Sequence, residues 1–234
     1  MKKIAIIVAG GSGQRMGVPT PKQFLEVNSK PLLWHTITAF LQAFTDIELV
    51  IVLPETHLDA GKQMASLFSS ANIHFTVGGT TRFHSVQKGL HYLDTTNSIL
   101  FVHDGVRCLI TPDLIKRCYH QAVEKGSAIP AVAATDSIRI ETGNEDSVVA
   151  DRNKVRIIQT PQTFKSELLM PAFEQEYSDS FTDEATVVEA FGEKIFLIEG
   201  EYNNLKITRP IDLLIAEKIM EERCLERKDS NFTF

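Results

Sequence analysis

The sequence predicts an α/β protein built on a mostly parallel, twisted sheet. Short apolar runs alternate with segments of helical periodicity through the first half of the chain, the pattern of strand–helix–strand units. The first apolar run leads directly into a glycine-rich loop. The chain has 234 residues, of which 43% are hydrophobic, and this is enough to bury one full core. No linker, repeat or low-complexity stretch divides it, so we expect a single domain over residues 1–234.

The elements follow from these periodicities in chain order. The apolar runs predicted as strands are 4–9, 49–53, 73–77 and 99–102, and the segments between them predicted as helices are 32–44, 57–68, 83–93 and 114–123. Such sheets bind ligands beyond the carboxyl ends of their strands. The glycine-rich loop lies at one of these ends.

The pattern changes after the apolar run at 128–133. Two alternating, rather polar segments at 137–140 and 147–150 flank a turn and predict a β-hairpin. Because it is too polar for a core, we expect it to project as a dimerisation arm at about 136–156. Helices near 165–176, 183–190 and 210–222, with a strand at 195–199, complete the prediction, and the tail at about 224–234 is expected to be disordered.

Composition narrows the class of protein. The formal net charge of −6 argues against a nucleic-acid partner. Cys108, Cys118 and Cys224 are odd in number and lack C-x-x-C spacing, which disfavours a disulfide framework or a zinc site and fits a reducing cytoplasm. No apolar run approaches the roughly 20 residues of a membrane helix. The apolar run that follows Lys2-Lys3 leads to glycines and Arg15 instead of a signal-peptide cleavage site. We expect a cytoplasmic protein with no membrane or nucleic-acid partner.

The glycine-rich loop predicts a phosphate site. Glycines in the segment Gly10–Gly13 and at Gly17 let the backbone turn its N–H groups toward an anion, and Arg15 and Lys22 add positive charge. A Walker A loop is excluded because no Gly-Lys-Ser/Thr closes the turn. A dinucleotide loop is disfavoured because the third glycine is displaced and no acid ends a second strand about 20 positions on. The prediction is a nucleoside triphosphate site, with a plain tight turn as the alternative.

Polar residues follow the strand ending at Val102. Asp104 is a candidate Mg²⁺ ligand and Arg107 a candidate phosphate ligand, and the alternative is that the two pair with each other in a turn. His103 is interpreted as structural, since magnesium is the candidate metal and no second histidine is spaced with it. Lys206, between two apolar neighbours, suits a phosphate better than open water.

Two further segments have both a functional and a structural interpretation. The glycine turn at 78–79 precedes a helix start, where Ser85 and backbone groups would read a base and Arg82 would approach a phosphate; a capped strand-to-helix turn explains the segment equally well. The segment 182–185 is interpreted as an N-cap with acids in the first helical turn.

Together these segments resemble one family. The chain closely resembles the 2-C-methyl-D-erythritol 4-phosphate cytidylyltransferases from about Ile4 to Glu217, through the ordered motifs Ala-Gly-Gly-Ser-Gly-Gln-Arg-Met, Pro-Lys-Gln-Phe, His-Asp-Gly-Val-Arg, Asp-Arg-Asn, Gln-Thr-Pro-Gln, Thr-Asp-Glu-Ala and Asn-Leu-Lys-Ile-Thr-Arg-Pro. The resemblance implies a Rossmann-like nucleotidyltransferase that uses Mg²⁺ to make 4-diphosphocytidyl-2-C-methyl-D-erythritol and pyrophosphate from CTP and methylerythritol phosphate in the non-mevalonate isoprenoid pathway. It also implies a homodimer whose arm reaches the partner's site.

The resemblance implies a role for each matching residue. It assigns to the nucleotide Ala9, Gly10, Gly11, Ser12, Gly13, Arg15, Lys22, Gly79, Thr80, Arg82, Ser85, Asp104 and Gly105, with Asp104 also the metal ligand. It assigns to methylerythritol phosphate Asp104, Arg107, Ser137, Arg152, Thr160, Thr182 and Lys206. The residues expected to act in catalysis are Arg15, Lys22, Arg152 and Lys206.

The chain departs from the family pattern at some positions, and other classes of protein must be weighed against this family. Thr80 replaces the family's usual acid, Cys108 ends a segment that usually reads Ala-Ala/Ser-Arg-Pro, and Ser137 replaces a threonine. Ribitol 5-phosphate cytidylyltransferase shares the glycine loop and two motifs, but Asp-Arg-Asn, Thr-Asp-Glu-Ala and Thr-Arg-Pro favour the methylerythritol enzyme. An NAD-dependent oxidoreductase would need the missing ribose-binding acid. A non-catalytic nucleotide-binding module would be expected to lack Arg15, Lys22 or Asp104, and the chain has all three.

Overall fold

The structure is a computed structural model that describes residues 1–11, 20–68, 72–143 and 145–230, with the backbone alone for 226–230. The strands are β1 (Lys2–Val8), β2 (Glu26–Val27), β3 (Lys30–Pro31), β4 (Glu48–Leu53), β5 (Ile73–Val77), β6 (Ser98–Asp104), β7 (Ser127–Ala133), β8 (Ile138–Gly143), β9 (Asp146–Ala150), β10 (Arg156–Ile158), β11 (Gln162–Lys165) and β12 (Leu197–Glu199). The helices are α1 (Leu32–Ala43), α2 (Leu58–Ala65), α3 (Arg82–Leu90), α4 (Pro112–Lys125), α5 (Ser166–Ala172), α6 (Glu184–Ala190) and α7 (Pro210–Ser230).

The central sheet has the strand order β10-β7-β11-β6-β1-β4-β5, and β12 pairs with β7. Strands β6, β1, β4 and β5 are mutually parallel, which confirms the predicted fold class. Strand β11 runs antiparallel to β6 and β7. The parallel strands end at Val8, Leu53, Val77 and Asp104, so these four residues lie at one edge of the sheet.

Helices cover both faces of the sheet, and β1 shows why. Its side chains alternate, so that Ala5 and Ile7 belong to the cluster formed with α1 and α4, while Ile4 and Ile6 belong to the cluster formed with α3, α5 and α6. Helix α3 approaches closely at Gly89, where an added Cβ would lie 2.4 Å from Cγ2 of Ile6. This contact packs the end of α3 closely against β1.

The predicted hairpin is present. Strands β8 and β9 form their own two-stranded sheet outside the main one. Three apolar side chains on it are largely exposed in the single chain: Ile140 at 55%, Val148 at 51% and Val149 at 73%. The hairpin therefore presents apolar as well as polar surface.

Three parts of the prediction are corrected. Strands β10 and β11 were missed because, at 3 and 4 residues, they are too short to show alternation. The two-residue strands β2 and β3 were missed for the same reason. Helix α7 continues to Ser230, so the expectation of a disordered tail from about 224 is wrong as far as that residue. Arg223 helps to hold this helix, since its Nη1 donates to the Leu109 carbonyl at 2.8 Å. Residues 231–234 lie outside the described part.

In the described ranges, every helix is too short or too polar to cross a bilayer.

Candidate active site

A cavity of about 260 Å³ lies beyond the ends of the parallel strands. It is lined by Val8, Ala9, Gly10, Gly11, Lys22, Gln23, Gly79, Thr80, Thr81, Arg82, Ser85, Asp104, Val106 and Lys206. The structure thus brings together most residues that the sequence assigned to a nucleotide site. Ser12, Gly13 and Arg15 belong to the segment 12–19, which lies outside the described residues.

The first wall is the end of β1 with the start of the glycine loop. The Ala9 N–H donates to the Val52 carbonyl at 2.9 Å and the Gly105 N–H to the Val8 carbonyl at 2.9 Å, which holds the neighbouring strand ends together. A Cβ on Gly105 would lie 2.9 Å from Cβ of Ala9, so only glycine allows this approach.

Lys22 brings its charge to this wall. A Cβ built on Gly11 would lie 3.3 Å from Cε and 3.7 Å from Nζ of Lys22. The ammonium group and the glycine backbone are therefore close enough to share one anionic ligand.

The second wall is the turn into α3. Ser85 Oγ accepts from the Gly79 N–H at 3.0 Å and donates to the Thr81 carbonyl at 2.9 Å. A Cβ on Gly79 would fall 2.3 Å from Cβ of His84, so the turn requires glycine there. Thr81 caps α3 by accepting from the His84 N–H. The hydroxyl of Ser85 fixes the turn, and Thr80 faces the cavity from it.

Asp104 is the electrostatic centre of the cavity. Its Oδ2 lies 3.0 Å from Lys206 Nζ and 3.4 Å from Arg107 Nε, and its Oδ1 lies 3.4 Å from Arg82 Nη2. Burial favours the neutral acid, but the charges of Arg82, Lys206 and Arg107 outweigh it and hold the pKa of Asp104 well below its usual range. The predicted alternative, an Asp104–Arg107 pair, is present and coexists with the two other contacts.

His103 is structural. It is fully buried, and burial lowers its pKa to about 3, so it is neutral at pH 7. Its Nε2 lies 3.3 Å from the Arg107 carbonyl and its Nδ1 3.0 Å from Thr160 Oγ1. Since a carbonyl only accepts, Nε2 carries the proton and Nδ1 accepts from Thr160. Thr160 Oγ1 in turn accepts from the Asp104 N–H at 3.1 Å. The network fixes the backbone on both sides of the acid.

Arg107 and Lys206 are joined through the segment 203–206. Arg107 Nη1 donates to the Asn204 carbonyl at 2.9 Å, and Asn204 Nδ2 donates to the Thr160 carbonyl at 3.0 Å. Burial lowers the pKa of Arg107, and Asp104 opposes that shift. Lys206 is the most exposed of the three cations around Asp104, at 41% of its side chain.

Glu184 is the charged residue whose place in the site the sequence did not predict. The N-cap interpretation of its segment is confirmed: Asp183 Oδ1 accepts from the Thr186 N–H in a capping box. However, Glu184 is fully buried and pairs through both carboxylate oxygens with Arg82. Its neighbours Ala185 and Val187 are buried as well. An acid on the apolar face of a helix was the available signal.

Of the seven predicted substrate residues, Asp104 and Lys206 line the cavity within one chain, and Arg107 contacts Asp104 without lining the cavity. Ser137, Arg152 and Thr182 are exposed and do not line it. Arg152 Nη1 donates instead to the Thr135 carbonyl at 3.0 Å. Thr160 is buried with its hydroxyl already bonded on both sides, so in this structure it supports Asp104 and His103.

The cavity suits a metal ion only if a bound ligand supplies further donor atoms. Over the described ranges, no three His, Cys, Asp or Glu side chains cluster closely enough to hold a metal. Asp104 offers one carboxylate. Mg²⁺ commonly binds through one or two carboxylates plus substrate phosphates, so this donor set suits an ion that arrives with a triphosphate.

Known proteins are similar to this chain in both sequence and fold. The family model described as "IspD: 2-C-methyl-D-erythritol 4-phosphate cytidylyltransferase" matches residues 3–222. Proteins of that name from Phocaeicola vulgatus and Bacteroides thetaiotaomicron are 41% and 42% identical to the chain, and each alignment covers 94% of it and 100% of the relative. The crystal structure of 4-diphosphocytidyl-2C-methyl-D-erythritol synthase from Anaerococcus prevotii superposes with a TM-score of 0.81 at 29% identity, covering 94% of this chain and 99% of that one.

Proposed function

Since the chain belongs to the 2-C-methyl-D-erythritol 4-phosphate cytidylyltransferase family, we propose that it transfers CMP from CTP to 2-C-methyl-D-erythritol 4-phosphate, releasing pyrophosphate, in isoprenoid biosynthesis. One observation supports this above the others: a glycine turn from each of two loops, Lys22, Asp104 and Lys206 line a single cavity. The cavity combines anion-binding backbone, positive charge and one carboxylate. These are the groups that a triphosphate with a divalent cation requires.

In this proposal the phosphate of methylerythritol phosphate attacks the α-phosphorus of CTP, and the bond from that phosphorus to the oxygen bridging the β-phosphate breaks. The attacking phosphate is ionised near neutral pH, so no side chain needs to remove a proton. Lys22 and Arg15 would stabilise the charge that develops at the α-phosphate, while Arg107 and Lys206 would hold the attacking phosphate. Gly79, Thr80 and Ser85 would hold the base. Catalysis would rest on positioning and charge stabilisation.

Mg²⁺ is the proposed cofactor. Asp104 would hold it together with the phosphates of CTP, and the ion would supply charge neutralisation on the triphosphate. Lys206, which pairs with Asp104 at 3.0 Å, would then be released toward the phosphate of the second substrate.

A homodimer in the cytoplasm is also proposed. The exposed apolar side chains of the β8–β9 arm support a partner for it, with Ile140 at 55% and Val149 at 73% exposure. Arg152 is at the base of this arm and does not line the cavity of its own chain, so we propose that it serves the partner's site. The three free cysteines support a reducing compartment.

Pyrophosphate release, measured with each of four nucleoside triphosphates against methylerythritol phosphate and ribitol 5-phosphate, tests the function. We expect CTP with Mg²⁺ and methylerythritol phosphate to give a kcat/KM at least about 10²-fold above that for ribitol 5-phosphate, since a site built to hydrogen-bond particular hydroxyls rejects the wrong polyol. The opposite preference would assign the chain to the ribitol enzymes. No pyrophosphate with any pair would refute the proposed chemistry.

A further inference from the structure

Glu184 is a buried charge with no role in the chemistry just described. It has no exposed surface, and both of its carboxylate oxygens bind the guanidinium of Arg82, one of them at 3.1 Å. The same Arg82 Nη2 lies 3.4 Å from Oδ1 of Asp104. Burial raises the pKa of Glu184, which the Arg82 charge opposes. An ionised carboxylate is costly to bury, so the pair is informative about the site.

The position of Glu184 is fixed from the sheet. Gln162 is buried on β11, the strand next to β6. Its Oε1 accepts from the Ala185 N–H at 2.7 Å and its Nε2 donates to Asp183 Oδ2 at 2.9 Å. These bonds tie the first turn of α6 to the strand that neighbours the one carrying Asp104. The carboxylate of Glu184 therefore cannot move freely relative to the cavity.

Two partners of Asp104 are held in place and one is able to leave. Arg82 is anchored by Glu184, and Arg107 is 11% exposed and anchored by the Asn204 carbonyl. Lys206 is 41% exposed. We infer that Glu184 is a positioning residue that acts through Arg82 to hold Oδ1 of Asp104. Arg107 stays beside Oδ2, so Lys206 is the partner of Asp104 that a ligand-borne cation replaces. The inference rests on the proposed function of Asp104.

The charged side chains around Asp104 do not balance. Arg82, Arg107 and Lys206 carry three positive charges against the two negative charges of Asp104 and Glu184, which leaves one positive charge. Replacing Glu184 by glutamine keeps the shape of the side chain and raises the net charge of this group of residues to two positive charges. A more positive cavity should bind metal-free CTP as well or better, and should bind CTP less well when Mg²⁺ must join it beside Asp104.

Calorimetric titration of the full chain with CTP, with and without Mg²⁺, measures both affinities. For Glu184→Gln we expect metal-free affinity within about threefold of wild type or tighter, and affinity with Mg²⁺ weaker by about tenfold. Glu189→Gln, an exposed acid on the same helix, is the matched control and should change neither. Equal weakening of both affinities would mean that Glu184 only stabilises the fold, and would overturn the inference.

A double-mutant comparison tests the route through Asp104. If Glu184 acts through that residue, Glu184→Gln should lower kcat by about tenfold in the wild-type background and by less than about twofold in an Asp104→Asn background. The same loss in both backgrounds would overturn the inference.

Arg82→Lys is a second variant, to be used if Glu184→Gln fails to fold. It keeps the positive charge but removes the guanidinium that donates to both carboxylate oxygens of Glu184. It should weaken Mg²⁺-supported binding of CTP without tightening metal-free binding. Unchanged binding in both conditions would refute the route through Arg82. The titrations measure binding and need no turnover. A wild-type chain that binds CTP with Mg²⁺ but releases no pyrophosphate would refute the proposed function, and the titrations of the variants would still decide this inference.

Discussion

Acidification should destabilise the protein through His103. This side chain is fully buried, and it accepts from Thr160 while donating to the Arg107 carbonyl. Burial lowers its pKa from 6.5 to about 3. The unfolded chain takes up a proton on this ring below about pH 6.5, and the folded chain does not do so until about pH 3. The stability that His103 contributes is therefore present above pH 6.5 and is lost as the pH falls through that window.

The size of the effect follows from the same pKa values. Each pH unit inside the window is worth about 1.4 kcal/mol of unfolding free energy, so the loss between pH 6.5 and pH 5 is about 2 kcal/mol. Asp104 has a lowered pKa, so its stability is lost only below the ordinary carboxyl range, and Glu184 acts in the opposite direction. The difference in unfolding free energy between wild type and a His103 variant isolates the contribution of this histidine, because the carboxyl groups contribute to both proteins.

Urea unfolding at several pH values between 5 and 7.5 measures this difference. His103→Asn should be less stable than wild type at pH 7.5 because it loses the bond to the Arg107 carbonyl, and the gap should narrow by about 2 kcal/mol at pH 5. The exposed His120→Asn variant is the control. Nitrogen-15 NMR of labelled histidine should find His103 as the neutral Nε2–H tautomer at pH 5. A gap independent of pH, or a ring that is protonated at pH 6, would refute the reasoning.

Three further results are expected. Lys22→Ala and Arg15→Ala should each lower kcat by about 10²-fold or more and raise KM for CTP far less, because their charge acts on the transition state; near wild-type kcat would remove the residue from the catalytic set. Gly79→Ala should weaken CTP binding by at least about tenfold, because the added Cβ would lie 2.3 Å from Cβ of His84. Gly10→Ala is the matched comparison and should keep the unfolding stability of wild type, because its added Cβ would meet no atom within 4 Å. Mixing Lys22→Ala with Arg152→Ala chains should restore about a quarter of wild-type activity through mixed dimers, and inactive mixed dimers would place each site within one chain.

The sequence by itself determined the elements with a regular period and the loops that follow them. The buried strands β1, β4 and β6 are continuous apolar runs, so their position was predicted within a few residues. The family resemblance assigned Gly10, Gly79 and Asp104 to one nucleotide site, and all three line the cavity at the edge where the parallel strands end. The hairpin and the structural role of His103 followed from local polarity and chemistry. Each of these features depends on short-range properties of the chain.

Tertiary structure decided which charged groups pair. Arg82 and Glu184 are 102 positions apart, and each was assigned locally, one to a phosphate and the other to a helix start. The hydroxyl of Thr160, expected to face a substrate, is bonded to His103 and Asp104. Helix periodicity and strand alternation repeat along the chain and are readable from it, whereas an ion pair forms only where packing of the whole sheet and its helices brings two side chains within about 3 Å. That distance is a property of the fold, and no local pattern contains it.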